Sequence, residues 1–146
     1  MNIKSPEFED NTPIPSEYTC EGKDISPEIK IEGIQKKTKS LALIMDDPDA
    51  PGGTWNHWIL YNIPLIEKIE KNSVPEGAVH GNNSWGKNEY GGPCPPSGTH
   101  RYIFNLYALD SELNLKEGLS KQEIESAIKE NILEKAELIG TYKKKN

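Results

Sequence analysis

Leu41-Ala-Leu-Ile-Met-Asp-Asp-Pro-Asp-Ala50-Pro-Gly-Gly-Thr-Trp-Asn-His-Trp-Ile-Leu60-Tyr-Asn62 decides the fold. Its apolar opening, Leu41 to Met45, is long enough for one buried strand and too short for a helix. Residues 46–54 hold two prolines, two glycines and three aspartates, so regular structure must stop there. From Trp55 to Ile63 aromatic and β-branched residues resume and read as a return strand. Alternation puts Trp55, His57, Ile59 and Tyr61 on one face and Asn56, Trp58, Leu60 and Asn62 on the other. Both faces are largely apolar, so this strand is expected to be central and covered on both sides. Asp46, Asp47 and Asp49 then sit at the mouth of a strand pair, with His57 at the start of the return strand. That arrangement reads as one wall of a small-ligand pocket.

Outward from this stretch, Glu28 to Ile34 alternates, with Ile29 and Ile31 on one face of a half-buried strand. Residues 5–27 are crowded with turn formers and read as a mostly irregular opening. Pro64 to Lys71 is compatible with a helical turn or two, begun by proline. Residues 72–100 carry six glycines and four prolines, and Trp85, Tyr90 and the stiff Pro93-Cys94-Pro95-Pro96 run make them an ordered, pocket-forming loop. Arg101 to Leu109 is the clearest strand of the second half. Tyr102, Phe104, Leu106 and Ala108 share one face, and His100, of the same parity, projects inward where the loop ends. Residues 120–135 are expected to be helical, opened by a Ser120–Glu123 capping box and carrying Ile124, Ala127, Ile128, Ile132 and Leu133 near a 3.6-residue period. Glu137 to Tyr142 reads as a last strand. Several strands, one helix and long connections predict a mainly β fold, two packed antiparallel sheets in a single domain over residues 1–146.

With 146 residues the chain can bury a core without staples, and its net charge of −6 argues against nucleic acid or an anionic membrane surface as partner. No apolar run approaches the length of a membrane span, and the N-terminal residues lack an apolar signal core, so the expected location is cytoplasmic. In that reducing setting Cys20 and Cys94 read as free thiols, although pairing cannot be judged from spacing. The abundance of Glu and Lys beside only two Gln fits a thermophile and fits an AT-rich genome equally.

The candidate site joins Asp47, Asp49 and His57 to Gly92, Pro93, His100 and Tyr102. No nucleophile elbow, metal signature or phosphate-cradling loop motif is present, so no cofactor, metal or catalytic residue is expected. Anion binding fits better: two histidines, a tyrosine hydroxyl and backbone N–H groups around Gly91-Gly92 are all donors. Ionised carboxylates repel phosphate. Their expected role is to raise the pKa of His57 or His100 and favour imidazolium, or to receive a ligand ammonium.

Asp47-Pro-Asp-Ala-Pro51, Trp55-Asn-His57 and Gly92-Pro-Cys-Pro-Pro-Ser-Gly-Thr-His-Arg-Tyr102 resemble the phosphatidylethanolamine-binding protein family, also called Raf kinase inhibitor-like proteins. Tyr18-Thr-Cys-Glu-Gly22, Ser26-Pro27 and Ala136-Glu-Leu-Ile-Gly-Thr-Tyr142 resemble its bacterial and archaeal branch, so the likeness covers nearly the whole chain. The resemblance implies a two-sheet antiparallel β-sandwich with a small anion pocket for phosphate, phosphorylated small molecules or phospholipid headgroups. It implies pocket residues Asp47, Asp49, Trp55, His57, Gly92, Pro93, His100 and Tyr102, and makes Arg101 an anchor outside the pocket. Asn131 stands where relatives often carry histidine. With three lysines after Tyr142 and no further helix, the pocket is expected to be more open than in animal members.

The resulting expectation is a non-enzymatic, regulatory binding protein for a small anionic or phosphorylated ligand. The alternatives are an inhibitor of a serine protease or kinase, and a cryptic hydrolase using His57 with Asp47. A C2 homodimer fits the branch, and nothing in the sequence locates its interface.

Overall fold

The computed structural model describes residues 1–146. Nine strands follow in order: β1 (Asn2–Lys4), β2 (Thr12–Pro13), β3 (Ile29–Glu32), β4 (Ser40–Asp47), β5 (Trp55–Ile63), β6 (Lys68–Ile69), β7 (Val79–His80), β8 (His100–Leu109) and β9 (Ile132–Tyr142). One helix, α1 (Lys121–Ile128), precedes β9, and 3-10 turns occupy Ser16–Tyr18 and Lys129–Asn131. A large sheet runs β2-β9-β8-β4-β5-β7 and a small one β1-β3-β6. Pairing is antiparallel except for β2, which runs parallel to β9 at Gly140 and Thr141. The two-sheet β architecture is as expected, with this one parallel contact added.

Period-2 alternation sorts the large sheet into two buried faces. Leu41, Leu43, Met45, Trp58, Leu60, Tyr102, Phe104 and Leu106 face the small sheet, where Ile3, Ile29, Ile31 and Ile69 meet them. On the back face Ala42, Ile44, Ile59 and Tyr61 lie under Ile124 and Ile128 of α1. All eight residues of β4 are buried, which is why its sequence is a continuous apolar run rather than an alternating one.

Three local expectations are corrected. The helix has its capping box, with Ser120 Oγ accepting from Glu123 N at 3.1 Å and Glu123 Oε1 accepting from Ser120 N at 3.0 Å, but it ends at Ile128. Ile132 and Leu133 continue the helical spacing, yet their backbone belongs to the β8–β9 ladder, which runs from Leu109↔Ile132 to His100↔Tyr142. A short helix has little stability of its own, so the tertiary ladder wins. Residues 64–71 form no helical turn, because Ile69 pairs with Ile29 and is fully buried. Finally, Cys20 and Cys94 are not free thiols: they form a disulfide across 74 positions with Cα atoms 5.5 Å apart.

Candidate functional site

The site is aimed by a defect in the central strand pair. Met45 faces Trp58 across the ladder, but the next residue, Asp46, faces Asn56, so His57 is the extra residue of a β-bulge. Unbroken alternation would place His57 on the helix side with Ile59. The bulge instead turns it to the side of Tyr102, with the two rings edge to face at 5.1 Å. Asn56 takes the helix side, where its Nδ2 donates to Asp46 Oδ1 at 3.0 Å and to Met45 O at 3.2 Å. Lys121 at the start of α1 binds the other oxygen of Asp46 at 2.8 Å, so the helix secures the bulge from behind.

Asp47, one position on, shares the side of His57. Its Oδ2 accepts from His100 Nδ1 at 2.7 Å, and its Oδ1 accepts from Asp49 N at 2.8 Å to open the turn. His57 Nδ1 lies 2.7 Å from Gly91 O, and a carbonyl can only accept, so Nδ1 carries the proton. No protein group bonds Nε2 of either histidine. Trp85 stands edge-on to His57 at 4.9 Å and meets Trp55 at 5.6 Å, both tryptophans being more than a third exposed. Together these groups line a cleft of about 610 Å³ that also includes residues 50–54, Ser84, Cys94 and Pro96. A larger groove of about 840 Å³ lies along the small sheet among Lys4, Lys30, Glu32, Glu67 and Lys68. It gathers no histidine and no unpartnered buried polar group.

Of the eight expected site residues, Asp47, Trp55, His57, His100 and Tyr102 line the cleft. Asp49, Gly92 and Pro93 do not. Asp49 accepts from Arg101 Nη2 at 2.8 Å, Nε at 3.0 Å and backbone N at 2.9 Å, which pins the aspartate loop to the start of β8. Arg101 thus acts as an anchor, and its guanidinium holds the Asp49 carboxyl down to about 2. The N–H groups of the two glycines are not free for a ligand: Gly91 N donates to His57 O at 2.9 Å and Gly92 N to Asp24 Oδ1 at 2.8 Å. Pro93 O accepts from Cys20 N at 3.1 Å.

These glycines are needed for close approach. A Cβ at Gly91 would stand 2.3 Å from the Trp85 ring, and one at Gly92 would stand 2.4 Å from Tyr18 O. Sequence reasoning used Trp85 only as a sign of order and missed it as a cleft wall. An aromatic in a glycine-rich loop was the available signal. Residues 50–54 fall in the aspartate loop, and Ser84 and Pro96 in the glycine-proline loop, that the sequence reads as pocket-forming.

Burial decides the charge of His57. The ring is 3% exposed, and desolvation pushes its pKa down, outweighing the upward pull of the Gly91 carbonyl and of Asp47. The expected carboxylate-raised imidazolium is therefore corrected for this residue, which enters the neutral pH range as free imidazole. The Tyr102 hydroxyl is buried and makes no hydrogen bond of good geometry, although the Cys94 N–H and the Asp47 carboxylate lie near it, and burial raises its pKa. No three His, Cys, Asp or Glu side chains converge as a metal-binding group. No helix is long and apolar enough to cross a membrane.

The family model of phosphatidylethanolamine-binding proteins matches residues 4–143. A UPF0098 protein of Methanothermobacter thermautotrophicus is 47% identical, covering 99% of both chains, and one from Aquifex aeolicus is 45% identical over 99% of this chain and 89% of its own. Among solved structures, a Chlamydia trachomatis protein described as a PEBP homolog superposes with a TM-score of 0.94 at 39% identity, covering 98% of this chain and 97% of the other. E. coli YbcL, described as a new member of the mammalian PEBP family, gives 0.92 at 30% identity over 99% and 98%. Fold, motifs and these matches agree: the chain belongs to the phosphatidylethanolamine-binding protein family.

Proposed function

We propose that residues 1–146 act as one binding domain whose cleft takes the phosphate of a small phosphorylated molecule, whether free or as a phospholipid headgroup. The single observation that carries this reading is the Tyr102 hydroxyl, buried at the cleft wall without a hydrogen bond of good geometry. A buried hydroxyl without a partner is costly, and a ligand oxygen would relieve it. Beside it, both histidines spend Nδ1 on the protein and leave Nε2 for a ligand. Trp55 and Trp85 offer apolar faces for the remainder of the ligand.

The hydrolase alternative loses its pair, because the Asp47 oxygen that would orient His57 is bonded to His100 instead.

Calorimetric titration with inorganic phosphate and phosphoethanolamine tests the reading. The titrations are run between about pH 5.5 and about pH 8. Tyr102→Phe should weaken phosphate roughly tenfold to a hundredfold, the range for a lost hydrogen bond to a charged group. Absence of binding across that range, or equal affinity in Tyr102→Phe and the parent, would overturn it.

A further inference from the structure

Resting on the phosphate-binding reading of the cleft, we propose that His57 Nε2 is a phosphoryl acceptor, taking the phosphoryl group of a small acyl phosphate to form a phosphohistidine. Nothing in the binding role requires a neutral, buried imidazole held by one nitrogen. That arrangement is what a nucleophile needs. Gly91 O, at 2.7 Å, keeps the proton on Nδ1, so the lone pair is on Nε2. The β-bulge points the ring into the cleft, and Trp85 and Tyr102 brace it edge-on at 4.9 and 5.1 Å. Burial keeps the ring unprotonated and therefore nucleophilic near neutral pH. The developing charge on the phosphoryl oxygens has a donor waiting in the Tyr102 hydroxyl.

The step balances without a further reactant. The Nε2 lone pair attacks phosphorus, the P–N bond forms, and the bond from phosphorus to the acyl oxygen breaks. The carboxylate leaves with that electron pair. The proton stays on Nδ1, donated to Gly91 O, so the ring carries a positive charge facing the dianionic phosphoryl group, and the Asp47 carboxylate lies nearby. An adduct protonated in this way is set up for onward transfer or hydrolysis.

The other two histidines are placed for different work. His100 gives Nδ1 to Asp47 and serves as a donor. His80 lies in a separate cavity with Asp24 and Glu89, whose carboxylates repel a phosphate.

The test is incubation of the folded protein with acetyl phosphate near neutral pH, read by intact mass, by peptide mapping and by phosphorus NMR under alkaline conditions that preserve phosphohistidine. One phosphoryl group on His57 Nε2 is expected. His57→Asn, whose amide can still donate to Gly91 O, should abolish it, and Tyr102→Phe should slow it roughly tenfold or more. Labelling on His80 or His100, equal labelling of urea-unfolded protein, or no adduct in protein that binds inorganic phosphate would each overturn the inference. In the last case the binding reading survives. Loss of phosphate binding as well would sink both.

Discussion

The Cys20–Cys94 disulfide permits the most quantitative prediction. It closes a loop of 74 positions, and in the chain-entropy treatment that constraint on the unfolded chain is worth about 4.4 kcal/mol at room temperature. At about 2.1 cal/mol/K of unfolding entropy per residue over 146 residues, opening it should lower the melting midpoint by roughly 14 °C. Cys20 is an exposed residue and Cys94 a half-buried one. Thermal melts of oxidised, reduced and Cys20→Ser/Cys94→Ser protein are the assay, with a thiol count in denaturant to establish each state. Unreduced protein should show no titratable thiol, and the reduced and double-serine forms should melt together below the oxidised form. Two thiols in unreduced protein, or coincident midpoints for all three forms, would refute the reasoning. Such a bond persists in an oxidising compartment or in the interior of hyperthermophiles, so the thiol count bears on location too.

Gly91→Ala must push the Trp85 ring aside, since the new Cβ would stand 2.3 Å from it; a loss of about 1–3 kcal/mol and an altered tryptophan emission are expected, and unchanged emission would count against the packing described. Asp49→Asn should cost ~1 kcal/mol in urea unfolding, because solvent screens a carboxylate that is 30% exposed. Because the Asp49 pKa is about 2 in the folded protein against an ordinary 3.8, this contribution is complete above about pH 4 and fades as pH falls toward 2; a variant with the same acid-unfolding curve as the parent would contradict it. His57 acts in a different window: its folded pKa lies below the ordinary 6.5, so the unfolded state binds the extra proton first and stability falls as pH drops below that value. His57→Gln should flatten that part of the stability profile, and a profile of unchanged slope would show that the ring is not buried as described.

Much of this protein is written in local patterns. The period-2 alternation of β3, β5 and β8, the apolar run of β4, the capping box of α1 and the Gly/Pro punctuation all follow from neighbours within a few residues, and they were sufficient for a two-sheet β fold. They also indicated that His57, His100 and the aspartate loop converge at one end. What local pattern could not decide was every feature made by partners far apart in the chain. Ile132 and Leu133 fit a helix until β8 claims their backbone. The bulge that turns His57 toward Tyr102 depends on Asp46, Asn56 and Lys121 meeting across two strands and a helix. Asp47 could have served either histidine, and the register of β4 against β8 assigns it to His100. Composition suggested a histidine raised by carboxylates, but charge in a protein depends on desolvation, and desolvation belongs to the packed structure. Sequence therefore brought Asp47, Trp55, His57, His100 and Tyr102 together at the cleft. The tertiary structure decided which nitrogen is free, which carboxylate is engaged and which ring is neutral.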